Sequence, residues 1–68
     1  MINFTNREKD VIKRIAEGKT KQEIADELYI SYHTVKTTIE HIYEKANVHN
    51  KVELIVFLLK NKYQFDLE

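Results

Sequence analysis

The chain has 68 residues, enough for one domain, and a chain this short buries only about 60% of its unfolded surface, so its core is thin. It contains no cysteine, which excludes disulfides and thiolate metal sites and leaves helix packing, a neighbouring domain or a partner chain to supply stability. Eleven basic residues balance eleven acidic ones, and this neutral sum counts against nucleic-acid binding, whose usual footprint is a basic domain.

No apolar run reaches the roughly 18 residues that a membrane-spanning helix requires. No basic-then-apolar segment follows Met1, so no signal peptide is visible and a cytoplasmic location is the default expectation. There is no proline and one glycine, Gly18, a composition that predicts an all-α domain with short connections. Nucleophile-and-base sets, paired carboxylates and a glycine-rich phosphate loop are all missing, so the chain does not read as an enzyme.

The first helix is predicted in TNREKDVIKRIAEG, where Thr5 and Glu8 have capping-box spacing. Val11, Ile12 and Ile15 form its apolar stripe, Phe4 folds onto that stripe from before the cap, and Gly18 supplies a left-handed terminator. The second helix, TKQEIADEL, repeats the box with Thr20 and Glu23, turns Ile24, Ala25 and Leu28 inward, and stops near Tyr29. Ser31 is the N-cap of a longer third helix. At ~100° per residue Val35, Ile39, Ile42 and Ala46 share one narrow stripe. His33, Lys36, Thr37, Glu40, His41 and Glu44 lie opposite, and Asn47 tolerates the left-handed stop.

The fourth helix, NKVELIVFLLKNK, is capped by Asn50 with Glu53 and is apolar on every side. One helix of so small a domain is hardly central. One of its stripes therefore meets a partner chain or a missing domain of the same chain. Tyr63 and Phe65 are expected to cover the end of the first or fourth helix, and Leu67-Glu68 reads as a vector-derived tail on a single domain spanning residues 1–68.

A short helix, a two-residue turn and a longer helix with a polar outer face make a helix-turn-helix. In such units the second helix enters the major groove of double-stranded DNA. Lys36 suits guanine, Thr37 a thymine methyl or a hydrogen bond, and Glu40 a cytosine amine, while Glu40 reads equally well as a surface charge. His33 joins this candidate base-contacting set. Thr20, Lys21, Ser31 and Thr34 stand near helix starts that suit phosphates, and His41 and Lys45 extend the phosphate set. Two histidines eight residues apart hold no metal without further ligands, so neither a metal nor another cofactor is expected. Glu23, Asp26 and Glu27 are expected on or beside the outer face of the second helix, away from DNA.

The residues themselves sharpen this reading. Nearly the whole chain resembles the helix-turn-helix domain of LuxR/GerE-type bacterial transcription regulators. The matching features are T-N-R-E (Thr5 to Glu8), EIA (Glu23 to Ala25), the Ile30-Ser31 turn, TVK (Thr34 to Lys36) and V-x-N (Val48 to Asn50). The resemblance implies a four-helix domain whose third helix reads bases with Lys36, Thr37 and Glu40. It also implies homodimerisation through the last helix, with Leu54, Ile55 and Leu58 inward and Val52, Val56 and Leu59 at the dimer interface. Thr38 stands where the family commonly has His, Asn47 replaces a usual Gly, and Lys51 replaces a usual Arg; if that Arg pairs with Glu23, Lys51 makes a looser contact. RNA polymerase is a further partner the resemblance allows. A complete small regulator and the output domain of a longer one read alike. The alternative is an interaction module that binds another regulator or polymerase through its apolar last helix without reading DNA.

Overall fold

The computed structural model describes residues 2–61, so the expectations for Tyr63, Phe65 and Leu67-Glu68 lie outside the described residues. Four helices follow in order: α1 (Asn6–Ala16), α2 (Lys21–Leu28), α3 (Tyr32–Ala46) and α4 (Lys51–Lys60). Among the described residues there is no strand, and no helix is long and apolar enough to cross a membrane.

Each helix starts where a side chain satisfies its open N–H groups. Thr5 and Glu8 cap α1 reciprocally, as do Thr20 and Glu23 for α2. The Ser31 hydroxyl accepts from the Thr34 N–H, and the Asn50 side chain accepts from the Glu53 N–H.

Three of the ends share one device. Gly18 (φ 86°), Tyr29 (φ 57°) and Asn47 (φ 56°) are left-handed, and each closes its helix with a pair of backward N–H···O bonds. At the second end Tyr29 N–H donates to Asp26 O at 3.4 Å and Ile30 N–H to Ala25 O at 3.0 Å. A tyrosine carries this position although its Cβ crowds the following carbonyl.

The core is one cluster. Val11, Ile12 and Ile15 of α1, Ile24 and Ala25 of α2, Val35, Ile39, Ile42 and Ala46 of α3, and Leu54 and Leu58 of α4 are buried, and Phe4 closes the cluster from before α1. All the other helices pack on α3, whose apolar stripe is the common wall. On α4, Leu54 and Leu58 are buried and Ile55 half-buried, while Val52, Val56 and Leu59 are 71%, 43% and 74% exposed. The packing thus divides an all-round apolar helix into a core side and an open side.

Candidate nucleic-acid interface

The turn between α2 and α3 holds Tyr29, Ile30 and Ser31, and Ile30 packs on the core, which sets the angle at which α3 leaves. With Val35, Ile39, Ile42 and Ala46 buried, the opposite face of α3 is turned outward. His33, Lys36, Glu40, His41 and Glu44 are exposed there, and Thr37 is half-buried. Neither Lys36 nor Glu40 is in an ion pair among the described residues, so both charges are open to a ligand.

The residues around this face are more engaged. The Ser31 hydroxyl lies 2.9 Å from the Thr34 hydroxyl while also capping α3, which leaves each oxygen part of its bonding capacity. Thr38 donates its hydroxyl to Thr34 O at 2.8 Å and so bonds back within the helix. Lys45 does not stand free for a phosphate. Its Nζ is 2.6 Å from Glu8 Oε1 and 3.3 Å from Asn3 O, so it ties the end of α3 to the start of α1. Burial pushes the Glu8 carboxyl up, but the Lys45 ammonium together with the N–H and hydroxyl of Thr5 outweighs it and holds the group below its ordinary value.

Thr20 and Lys21 are exposed at the start of α2. They border a depression of about 200 Å³ whose rim also carries Lys19, Lys51 and Tyr43, over a floor of Ile15, Ile24 and Ile39. Burial in this wall raises the Tyr43 phenol above its ordinary value. Tyr43 follows Lys36 and Glu40 along one side of α3, at offsets that place the three on a common stripe. The depression is therefore continuous with the Lys36 flank of the outward face, and it gathers Lys19, Lys21 and Lys51 in a chain with no net charge.

Lys19 and Lys51 escaped the reading of candidate phosphate contacts. Lys19 had a local signal, lying between the Gly18 stop and the Thr20 cap; Lys51 had none, because its approach to α2 depends on how α4 packs. Glu23 accepts from the Thr20 N–H at 2.8 Å, and no ion pair joins it to Lys51. The pairing conditional on an arginine there is not made by the lysine. Glu27 is also not a bystander: Oε1 is 2.9 Å from Arg14 Nε and Oε2 is 3.0 Å from Lys19 Nζ. Lys19 first and then Arg14 hold its carboxyl below the ordinary value, and Glu27 in turn raises Lys19. Among the described residues no group of three or more His, Asp or Glu is arranged to hold a metal ion.

Fold and face together define a helix-turn-helix domain of four helices, with α3 presenting a polar face backed by the core. A profile of the bacterial regulatory proteins of the luxR family (GerE) matches residues 3–58, and the chain belongs to this family. It is 47% identical over 52 residues to transcriptional regulatory protein DesR of Bacillus subtilis (strain 168), which covers 76% of this chain and 26% of that protein. Transcriptional regulatory protein LiaR of the same organism is 41% identical over 59 residues, 87% of this chain and 28% of that protein. Oxygen regulatory protein NreC of Staphylococcus carnosus (strain TM300) is 38% identical over 59 residues, 87% of this chain and 27% of that protein. The chain thus spans little more than a quarter of the length of these relatives. The family is one of DNA-binding transcription regulators.

Proposed function

We propose that this chain binds double-stranded DNA sequence-specifically as a homodimer and serves as the DNA-reading domain of a bacterial transcription regulator. The observation that carries the reading is the outward face of α3. Lys36, Glu40 and His33 are exposed, Thr37 is half-buried beside them, and the opposite stripe is fully committed to the core. A helix held in this way presents its N-terminal half to the major groove, where Lys36 donates to guanine and Thr37 meets a neighbouring base. Thr20, Lys21, Ser31, Thr34 and His41 contribute hydroxyls, N–H groups or cations to the flanking phosphates, and Lys45 joins them only by leaving Glu8. Val52, Val56 and Leu59 form the surface that meets a second copy, and a two-fold related pair doubles the phosphates neutralised by a neutral chain.

The test replaces Lys36 and Thr37 together with alanine and titrates the variant against DNA selected from random sequence by the unchanged protein. Each base contact of this kind is worth about 1–3 kcal/mol, so binding should fall at least tenfold with the helical circular-dichroism spectrum intact. Unchanged binding would favour the second reading, which the open stripe of α4 supports: an interaction module docking on another regulator or on RNA polymerase without reading DNA.

A further inference from the structure

The ion pairs around Glu27 bear on how strongly this face holds DNA of any sequence. Lys19 immediately precedes Thr20, the cap of α2, and shares the rim of the depression with Lys21 and Lys51. On the DNA-binding reading these cations stand where phosphates pass. Lys19 is the one among them that already has an anion, Glu27 Oε2 at 3.0 Å. The other carboxylate oxygen is held from behind by Arg14, whose Nη1 also donates to Asp10 O at 3.1 Å. Arg14 therefore keeps the carboxylate aimed, and Lys19, on its flexible four-carbon stem, is the partner that can move.

We infer that Glu27 is an intramolecular competitor for a phosphate-binding lysine: it holds Lys19 in the free protein and gives it up only when a DNA phosphate takes its place. This inference rests on the DNA-binding reading above. Phosphate contacts strengthen binding to every sequence alike, so a cation withheld in this way lowers adhesion to arbitrary DNA. A plain structural tie between α1 and α2 would have a different signature, because its loss would lower stability and leave DNA binding unchanged or weaker.

The experiment is a fluorescence-anisotropy titration of a short random-sequence duplex at low salt, with circular dichroism to establish that each variant is folded. Glu27→Gln should tighten binding about two- to fivefold, the factor that corresponds to releasing one exposed ion pair. Asp26→Asn removes the same charge from a residue whose carboxylate, among the described residues, accepts from Gln22 alone, and it should give a smaller gain. In a Lys19→Gln background the gain from Glu27→Gln should vanish. Glu27→Asp, one methylene shorter, makes the same comparison if Glu27→Gln loosens α2. An equal gain from Asp26→Asn, or a gain that survives Lys19→Gln, would overturn the inference while leaving DNA binding in place. Failure of the unchanged protein to bind any duplex would overturn the DNA-binding reading and this inference together.

Discussion

Tyr29 concentrates the conflict between local preference and fold. The residue is 94% exposed, so it packs on little among the described residues, yet its backbone sits at φ 57° because the turn into α3 needs a left-handed residue there. That conformation costs a side chain with a Cβ about 1 kcal/mol, and asparagine, which fills the same role at position 47, bears it more easily. Tyr29→Asn should therefore raise stability by about 0.5–1 kcal/mol, seen as an increase of a few degrees in Tm. A drop in Tm would mean that the ring makes a contact in solution that stabilises the domain. Gly18 is a simpler case: a Cβ there would meet open space, so only its φ of 86° calls for glycine.

At the scale of elements, α3 is secured at both ends by side chains from outside its own core stripe. The N-terminal end is set by the Ser31 cap, and the C-terminal end is anchored through Lys45 to Glu8 and to Asn3 O. Glu8 thereby serves two helices, closing the capping box of α1 and pairing with α3 from a buried position. Its folded-state pKa is depressed, so the unfolded chain binds its proton more readily than the folded one. The stability this group contributes is therefore present above the ordinary glutamate range near pH ~4.3 and is lost as pH falls through the lower folded value. Thermal unfolding followed against pH should show Tm falling on the acid side of that range, and Glu8→Gln should flatten the fall while lowering Tm at neutral pH. An unaltered acid limb in the variant would assign the loss to other carboxylates. The exposed Glu27 titrates in the same direction, so the variant curve keeps a residual slope. By contrast α2, at eight residues, is too short to be stable alone and depends on the burial of Ile24 and Ala25.

On the scale of the whole molecule, neutrality is a matter of arrangement. Glu8 is taken by Lys45, Glu27 by Arg14 and Lys19, Glu23 by the cap of α2, and Glu53 by His49, from whose backbone N–H it accepts at 2.7 Å, whereas Lys36, Lys21 and Lys51, and with them Glu40, remain unpaired among the described residues. The rim of the depression is thus more basic than the sum, whereas the outward face of α3 carries Glu40 and Glu44 beside Lys36, and one copy offers few cations. The homodimer we propose, through Val52, Val56 and Leu59, answers the same need by doubling the cations. Val56→Asp with Leu59→Asp should leave the helical circular-dichroism spectrum intact, since these side chains are exposed in the single chain. In sedimentation the variant should be monomeric, and its affinity for a two-fold related site should drop to that for a half-site. Equal, strong binding of the unchanged protein to half and full sites would remove the case for a dimer.

Local chemistry along the chain was sufficient for the four helices, their caps, the inward stripes of the first three and the outward face of α3. Each of these depends on residues three or four apart, such as Thr5 with Glu8, Thr20 with Glu23, or Val35 with Ile39. The left-handed stops at Gly18 and Asn47 were legible for the same reason, and the one at Tyr29 was not, because tyrosine has no preference for that conformation. Local chemistry could not tell which stripe of α4 is core, since both are apolar; the family resemblance implied Leu54, Ile55 and Leu58, and the position of α3 buries Leu54 and Leu58. Packing alone decided the pairing of Lys45 with Glu8, 37 positions away, the capture of Lys19 by Glu27, and the approach of Lys51 to the start of α2. Charges attract any opposite charge within reach, so which partner each one finds is fixed only when the helices are brought together.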